Sequence, residues 1–129
     1  MLRTIKNGQI LAGADLSAKQ FYQVALNSNG EGVVCGAGAA GVGVLQNAPK
    51  QGEAMELVQA GETEIVVAAA MNANTPIGSD ANGKAAALVY GTDTTKFVHG
   101  RTLEAVTGTV GAARRVRAVV NFLVPHRAA

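Results

Sequence analysis

The sequence predicts an all-β fold, a small single-domain β-barrel or sandwich with an extended N-terminal arm and at most one short helical turn. Three observations predict it. Two Asn-Gly pairs, Asn29-Gly30 and Asn82-Gly83, each sit between β-forming stretches, where glycine supplies the positive φ of a tight hairpin. Residues 114–124 alternate, with Val116, Ala118, Val120, Phe122 and Val124 on one face and Arg115, Arg117 and Asn121 on the other. Turn signals recur about every 8–12 residues, the spacing of a sandwich or barrel.

Taken in order, residues 1–14 mix polar and apolar side chains without a helical period, so an extended arm (residues 1–9) is expected to run into a first strand near residues 9–12. Residues 15–20 have room for one helical turn and no more. Residues 21–26 and 31–35 form the first hairpin around Asn27-Ser28-Asn29-Gly30. A loop of small residues at 36–41 leads to a short buried strand at 42–46 and a turn at Asn47-Ala48-Pro49-Lys50. Strands are expected at 54–59 and 64–70, joined by a turn at Ala60-Gly61-Glu62, the second apolar on both faces and therefore central. The second hairpin, around Asp80-Ala81-Asn82-Gly83, continues into residues 84–90. The two hairpins suggest a faint internal repeat, although their flanks agree poorly. A strand at 96–103 and the alternating strand follow, and Pro125 opens a short basic tail (residues 125–129) beyond the β domain (residues 10–124).

The 129 residues suffice for one core, and its material is unusual: hydrophobic content is 48% but aromatics are 4%, with no tryptophan. Alanine and valine bury little area each, so association with neighbouring subunits is expected to help stability. The net charge of +2 is too small to imply a polyanionic partner, though basic residues gather near the two ends. The single cysteine, Cys35, excludes an internal disulfide and reads as a small buried residue. The first fifteen residues lack the apolar core of a secretory signal, and the longest apolar run is far short of the roughly 20 residues that span a bilayer, so synthesis in a cytoplasm is expected.

Chemistry is sparse. Gly36, Gly38 and Gly41 match the G-x-G-x-x-G turn that seats a pyrophosphate on a helix N-terminus, but Val42, Gly43, Val44 and Pro49 refuse the helix that should follow. The match is read as chance in a chain with sixteen glycines. His99, His126 and Cys35 are scattered, so neither a metal cluster nor a catalytic triad is expected, and Glu53, Glu56, Glu62 and Glu64 read as solvated hairpin residues. The expectation is a protein that is not an enzyme and binds no cofactor. The competing reading is a small β-barrel that binds single-stranded nucleic acid, with Arg115 and Arg117 supplying part of a basic groove.

Residues 12–22 (AGADLSAKQFY), 43–53 (GVLQNAPKQGE), 79–85 (SDANGKA) and 100–105 (GRTLEA) resemble, in that order, the capsid cement or head decoration proteins of tailed bacteriophages, a family formerly known only as a domain of unknown function. The resemblance spans roughly residues 8–124. It implies a small all-β protein, without catalytic residues, on the outer surface of an icosahedral head, bridging neighbouring major capsid proteins as a homo-oligomer, a trimer in preference to a dimer. The basic cluster Arg114, Arg115 and Arg117 and the tail Pro125-His126-Arg127 depart from the family's pattern. On this reading the arm is the contact segment, with Met1, Leu2, Arg3, Thr4, Ile5, Lys6 and Gln9 expected to meet the capsid or a second subunit by adding a strand to an exposed sheet edge.

Overall fold

The structure, a computed structural model, describes residues 2–129, with side chains from Ile10 onward. It is all-β and forms a single small domain, one antiparallel sheet curled into a half-barrel. The strands are β1 (Leu2–Leu11), β2 (Gln23–Leu26), β3 (Gly32–Val34), β4 (Gly43–Leu45), β5 (Ala54–Val66), β6 (Pro76–Ser79), β7 (Ala85–Ala87), β8 (Gly100–Thr102) and β9 (Arg115–Asn121). Their order is β3-β2-β4-β5-β9-β8-β6-β7, with β1 also paired to β5.

Two local devices explain the hairpins. Asn27 Oδ1 accepts hydrogen bonds from the backbone N–H groups of Asn29 and Glu31, and Asp80 Oδ1 accepts from those of Asn82 and Lys84. Gly30 and Gly83 then take the left-handed conformation, at φ 77° and 80°. These are turns held by an Asx side chain with glycine closing the loop, rather than two-residue Asn-Gly turns, because the asparagine before each glycine keeps negative φ.

Around these hairpins the chain repeats itself. The pairs Val24↔Val34, Val24↔Gly43 and Val44↔Val58 of β2 to β5 recur as Ile77↔Ala87, Ile77↔Gly100 and Arg101↔Val119 of β6 to β9. The parallel bridge Ala12↔Gly32 recurs as Val67↔Ala85, closing each half on itself. The chain's two non-glycine residues with positive φ among those described, Phe21 and Asn74, occupy matching positions, each donating its N–H to a carbonyl in the third strand of its half, Leu45 and Thr102. Thus the suggested repeat is carried by backbone geometry while the side chains differ.

Each half has its own apolar interior. Ala12, Leu16, Val24, Leu45, Met55 and Leu57 fill the first, and Val67, Met71, Ile77, Val116 and Ala118 take the matching places in the second. Burial of such aliphatic side chains contributes about 1.5–3 kcal/mol each, so a core without tryptophan is still adequate when it is closely packed.

Several expectations are corrected. Residues 54–66 are one strand, not two joined at 60–62; Gly61, at φ 120°, is absorbed within it because β9 pairs across the irregularity from Ala60 to Val66. Residues 15–20 form turns and no helix, within the limit of at most one helical turn expected there. The strand expected at 96–103 shrinks to β8, that at 84–90 to β7, and the alternating strand ends at Asn121, leaving Val124 63% exposed. The last residues fold back: Phe97 bridges to Arg127, and Ala128 is buried with Leu88 and Val98.

Candidate functional site

The N-terminal residues nominated as a contact segment lie in β1, apart from Met1, which falls outside the described residues. The backbone of β1 runs antiparallel to β5 of the same chain, with Arg3 opposite Ala60 and Lys6 opposite Glu56, and with irregularities between Arg3 and Thr4 and between Asn7 and Leu11. Within this chain, then, the segment lies against its own sheet.

The exposed face of β9 carries the arginines that suggested a nucleic-acid groove. Arg115 faces Glu64 at 3.7 Å, and Arg117 lies 3.6 Å from both Glu62 and Glu104. Arg115 also covers the Phe21 ring, at 4.9 Å from its centroid. Each ion pair is solvated and contributes at most about 1 kcal/mol, but together they neutralise this face. Acids expected to be merely solvated are therefore the partners of the arginines, a pairing set by register between strands far apart in sequence.

The glycine-rich stretch is held, not loose. Its Gly38 has φ 67°, donates its N–H to the Ser79 carbonyl and accepts from Phe97 N–H. A Cβ there would approach Lys96 Cγ to 2.8 Å, so this glycine resists replacement. Strand β4 begins two residues after Gly41, leaving no helix N-terminus for a pyrophosphate.

Gly41 N–H donates to His99 Nε2 at 3.0 Å. That fixes the tautomer: Nδ1 carries the proton and donates to Gln23 Oε1, while Gln23 Nε2 donates to the Gly78 carbonyl at 2.9 Å. His99 stacks on Phe122, ring centroids 4.3 Å apart, and burial, with the nearby His126, pushes its pKa down to about 4. The neutral ring joins the two halves, from β2 to the approach to β8. Cys35, also buried, has its thiol pKa raised by burial and donates to the Ala39 carbonyl at 3.6 Å, as befits a packing residue.

Outside this lock lies an open groove whose lining includes Asn74, Tyr90, Arg101, Val119, Asn121 and His126. The Tyr90 hydroxyl and His126 Nε2 are 3.4 Å apart across one side. Arg101 is exposed and has no carboxylate partner among the described residues. Neither His99 nor Arg101 stood out in the sequence. Aligning Asn27-Ser28-Asn29-Gly30 with Asp80-Ala81-Asn82-Gly83, and Gly43 with Gly100, would have drawn attention to them, since it sets His99 against Val42 and Arg101 against Val44.

Among the described residues no group of three or more His, Cys, Asp or Glu side chains is placed to hold a metal ion. No protein-family model matches the chain, and no curated protein matches it. Among solved structures it is similar to the head fiber gp8.5 N base of bacteriophage phi29, with a TM-score of 0.64 at 11% sequence identity, covering 95% of this chain and 96% of that one. At that identity the likeness establishes a shared fold.

Proposed function

We propose that this chain is a structural protein of a bacteriophage virion that binds the outer surface of the head and bridges neighbouring major capsid proteins, without catalytic activity or a cofactor. The observation that carries this reading is the similarity, along nearly the whole chain, to the base of a phage head fibre. The sequence resemblance to capsid cement proteins supports it independently. So does the construction of the molecule: the buried His99 and Cys35 are engaged in packing and hydrogen bonding. Cementing needs only modest affinity per copy, because a ligand that binds the assembled shell alone stabilises it by mass action and many copies multiply the effect.

On this reading Met1, Leu2, Arg3, Thr4, Ile5, Lys6 and Gln9 remain the proposed contact segment, in a homotrimer or dimer. A terminal strand can leave its own sheet and add to a neighbour's at little net cost, since the backbone hydrogen bonds are exchanged. Purified protein added to heads lacking it should bind at a fixed stoichiometry, visible by electron microscopy, and should raise their resistance to heating. A variant lacking residues 1–9 that retains its β-sheet circular dichroism should bind weakly or not at all; full binding would remove the segment from the interface.

The nucleic-acid alternative gains nothing from the β9 arginines, whose charges are matched by Glu62, Glu64 and Glu104. Titration with single-stranded oligonucleotides at about 0.15 M salt should therefore show no binding. Affinity that falls steeply with added salt would reinstate that alternative.

A further inference from the structure

We infer that the groove around Arg101 is a docking site for an extended, carboxylate-bearing segment of the capsid protein. This inference rests on the proposed function for the identity of the partner, and on the internal repeat for the site. In the first half, the paired residues Val44 and Val58 point away from that half's interior of Leu45 and Leu57, yet both are wholly buried. They are buried because the second half packs over them, in one apolar cluster with Ile65, Val120 and Phe122. The matching pair in the second half is Arg101 and Val119. Among the described residues nothing covers it: Arg101 is exposed, Val119 is partly exposed, and both line the groove.

The same backbone surface is thus an internal packing face in one half and an open one in the other, and its chemistry has changed accordingly. Val44 is replaced by an arginine without a carboxylate partner among the described residues, His126 stands at the rim, and Asn74 and Asn121 add amide groups able to bond an extended backbone. The apolar contribution persists in Val119 and in the exposed Tyr90. Within two residues of lining positions in sequence, Val89, Leu123 and Val124 are also exposed, at 58%, 51% and 63%. A segment with a carboxylate for Arg101 and aliphatic side chains beside it complements such a surface. Arginine's planar fork suits two-pronged contact with that carboxylate.

The test compares wild type, Arg101→Glu, Arg101→Lys and Arg114→Glu, binding to heads assembled without this protein, with sedimentation of each variant alone. Arg114 is exposed and does not line the groove, so its reversal makes the same change of charge elsewhere. Arg101→Glu is expected to weaken binding at least tenfold, Arg101→Lys to weaken it less, and Arg114→Glu to leave it within twofold, with unchanged sedimentation throughout. Unchanged binding by Arg101→Glu overturns the docking site while leaving the proposed function standing. Equal losses from Arg101→Glu and Arg114→Glu overturn it in favour of diffuse attraction. A change in sedimentation confined to Arg101→Glu assigns the groove to a contact between copies of this chain, which also overturns it. Failure of wild type to bind heads defeats both the proposed function and this inference, and is distinguished by the first measurement.

Discussion

Replacing Gly100 with alanine should destabilise the protein by about 3 kcal/mol or more, lowering the melting temperature by roughly 10 °C, or prevent folding altogether. A Cβ at this position would overlap the carbonyl oxygen of Val119 and lie 2.8 Å from the Cα of Val120. These are backbone atoms of the neighbouring strand β9, so no rotamer change relieves the overlap. The strands must separate instead, and the pairing of Gly100 with Val120 and Ile77 would be lost on both sides. Gly43 holds the matching place in the first half, where an added Cβ would meet the Val58 carbonyl oxygen at 3.0 Å, a milder conflict. Its replacement should cost less than that of Gly100. Gly111→Ala, where a Cβ has no heavy atom within 4 Å and φ is not in the left-handed region, should leave thermal unfolding unchanged and serves as the control.

The protein should also lose about 3 kcal/mol of stability between pH 6.5 and pH 4 through His99 alone. In the folded state its pKa is about 4, and in the unfolded chain it returns to the ordinary 6.5. The folded-state value is the lower one, so between these limits the unfolded chain binds more protons than the folded one. Stability from this residue is fully present above pH 6.5 and declines as pH falls, levelling off below about 4. The geometry gives the reason. Nε2 accepts from Gly41 N–H and Nδ1 donates to Gln23, so a second ring proton would face a donor within a buried site. Urea midpoints at pH 7, 5.5 and 4.5 measure the slope. His99→Gln, although less stable at pH 7, should flatten it; an unchanged slope in that variant would assign the acid sensitivity to other groups. For a protein proposed to fasten a shell, the consequence is release or unfolding in acid.

The parts of this fold legible in the sequence are those set by neighbours along the chain. Both hairpins are written in the Asx and glycine residues that form them, because the side-chain hydrogen bonds that hold those turns close within four residues. The alternation of Val116, Ala118 and Val120 announces β9, since side chains two apart share a face whatever the strand packs against. Val42 and Pro49 similarly refused the helix that a phosphate-binding turn requires, and β4 stands there.

What the sequence obscured depends on partners far along the chain. Gly61, between Ala60 and Glu62, looks like a turn, and becomes the middle of a strand only because β9, more than fifty residues later, pairs through it. Glu62 and Glu64 read as solvated acids until the register sets them against Arg117 and Arg115. His99 looked isolated because Gln23 and Gly41, its hydrogen-bond partners, come from the other half of the molecule. The repeat itself was faint in the side chains and plain in the backbone. Identical pairing tolerates different residues, so that Val44 lies buried while Arg101 stands open. The sequence by itself determined the all-β class, the hairpins and the faces of β9. Only the tertiary structure decided which faces the two halves cover for each other, because that depends on pairing between distant strands, which leaves no period in the chain.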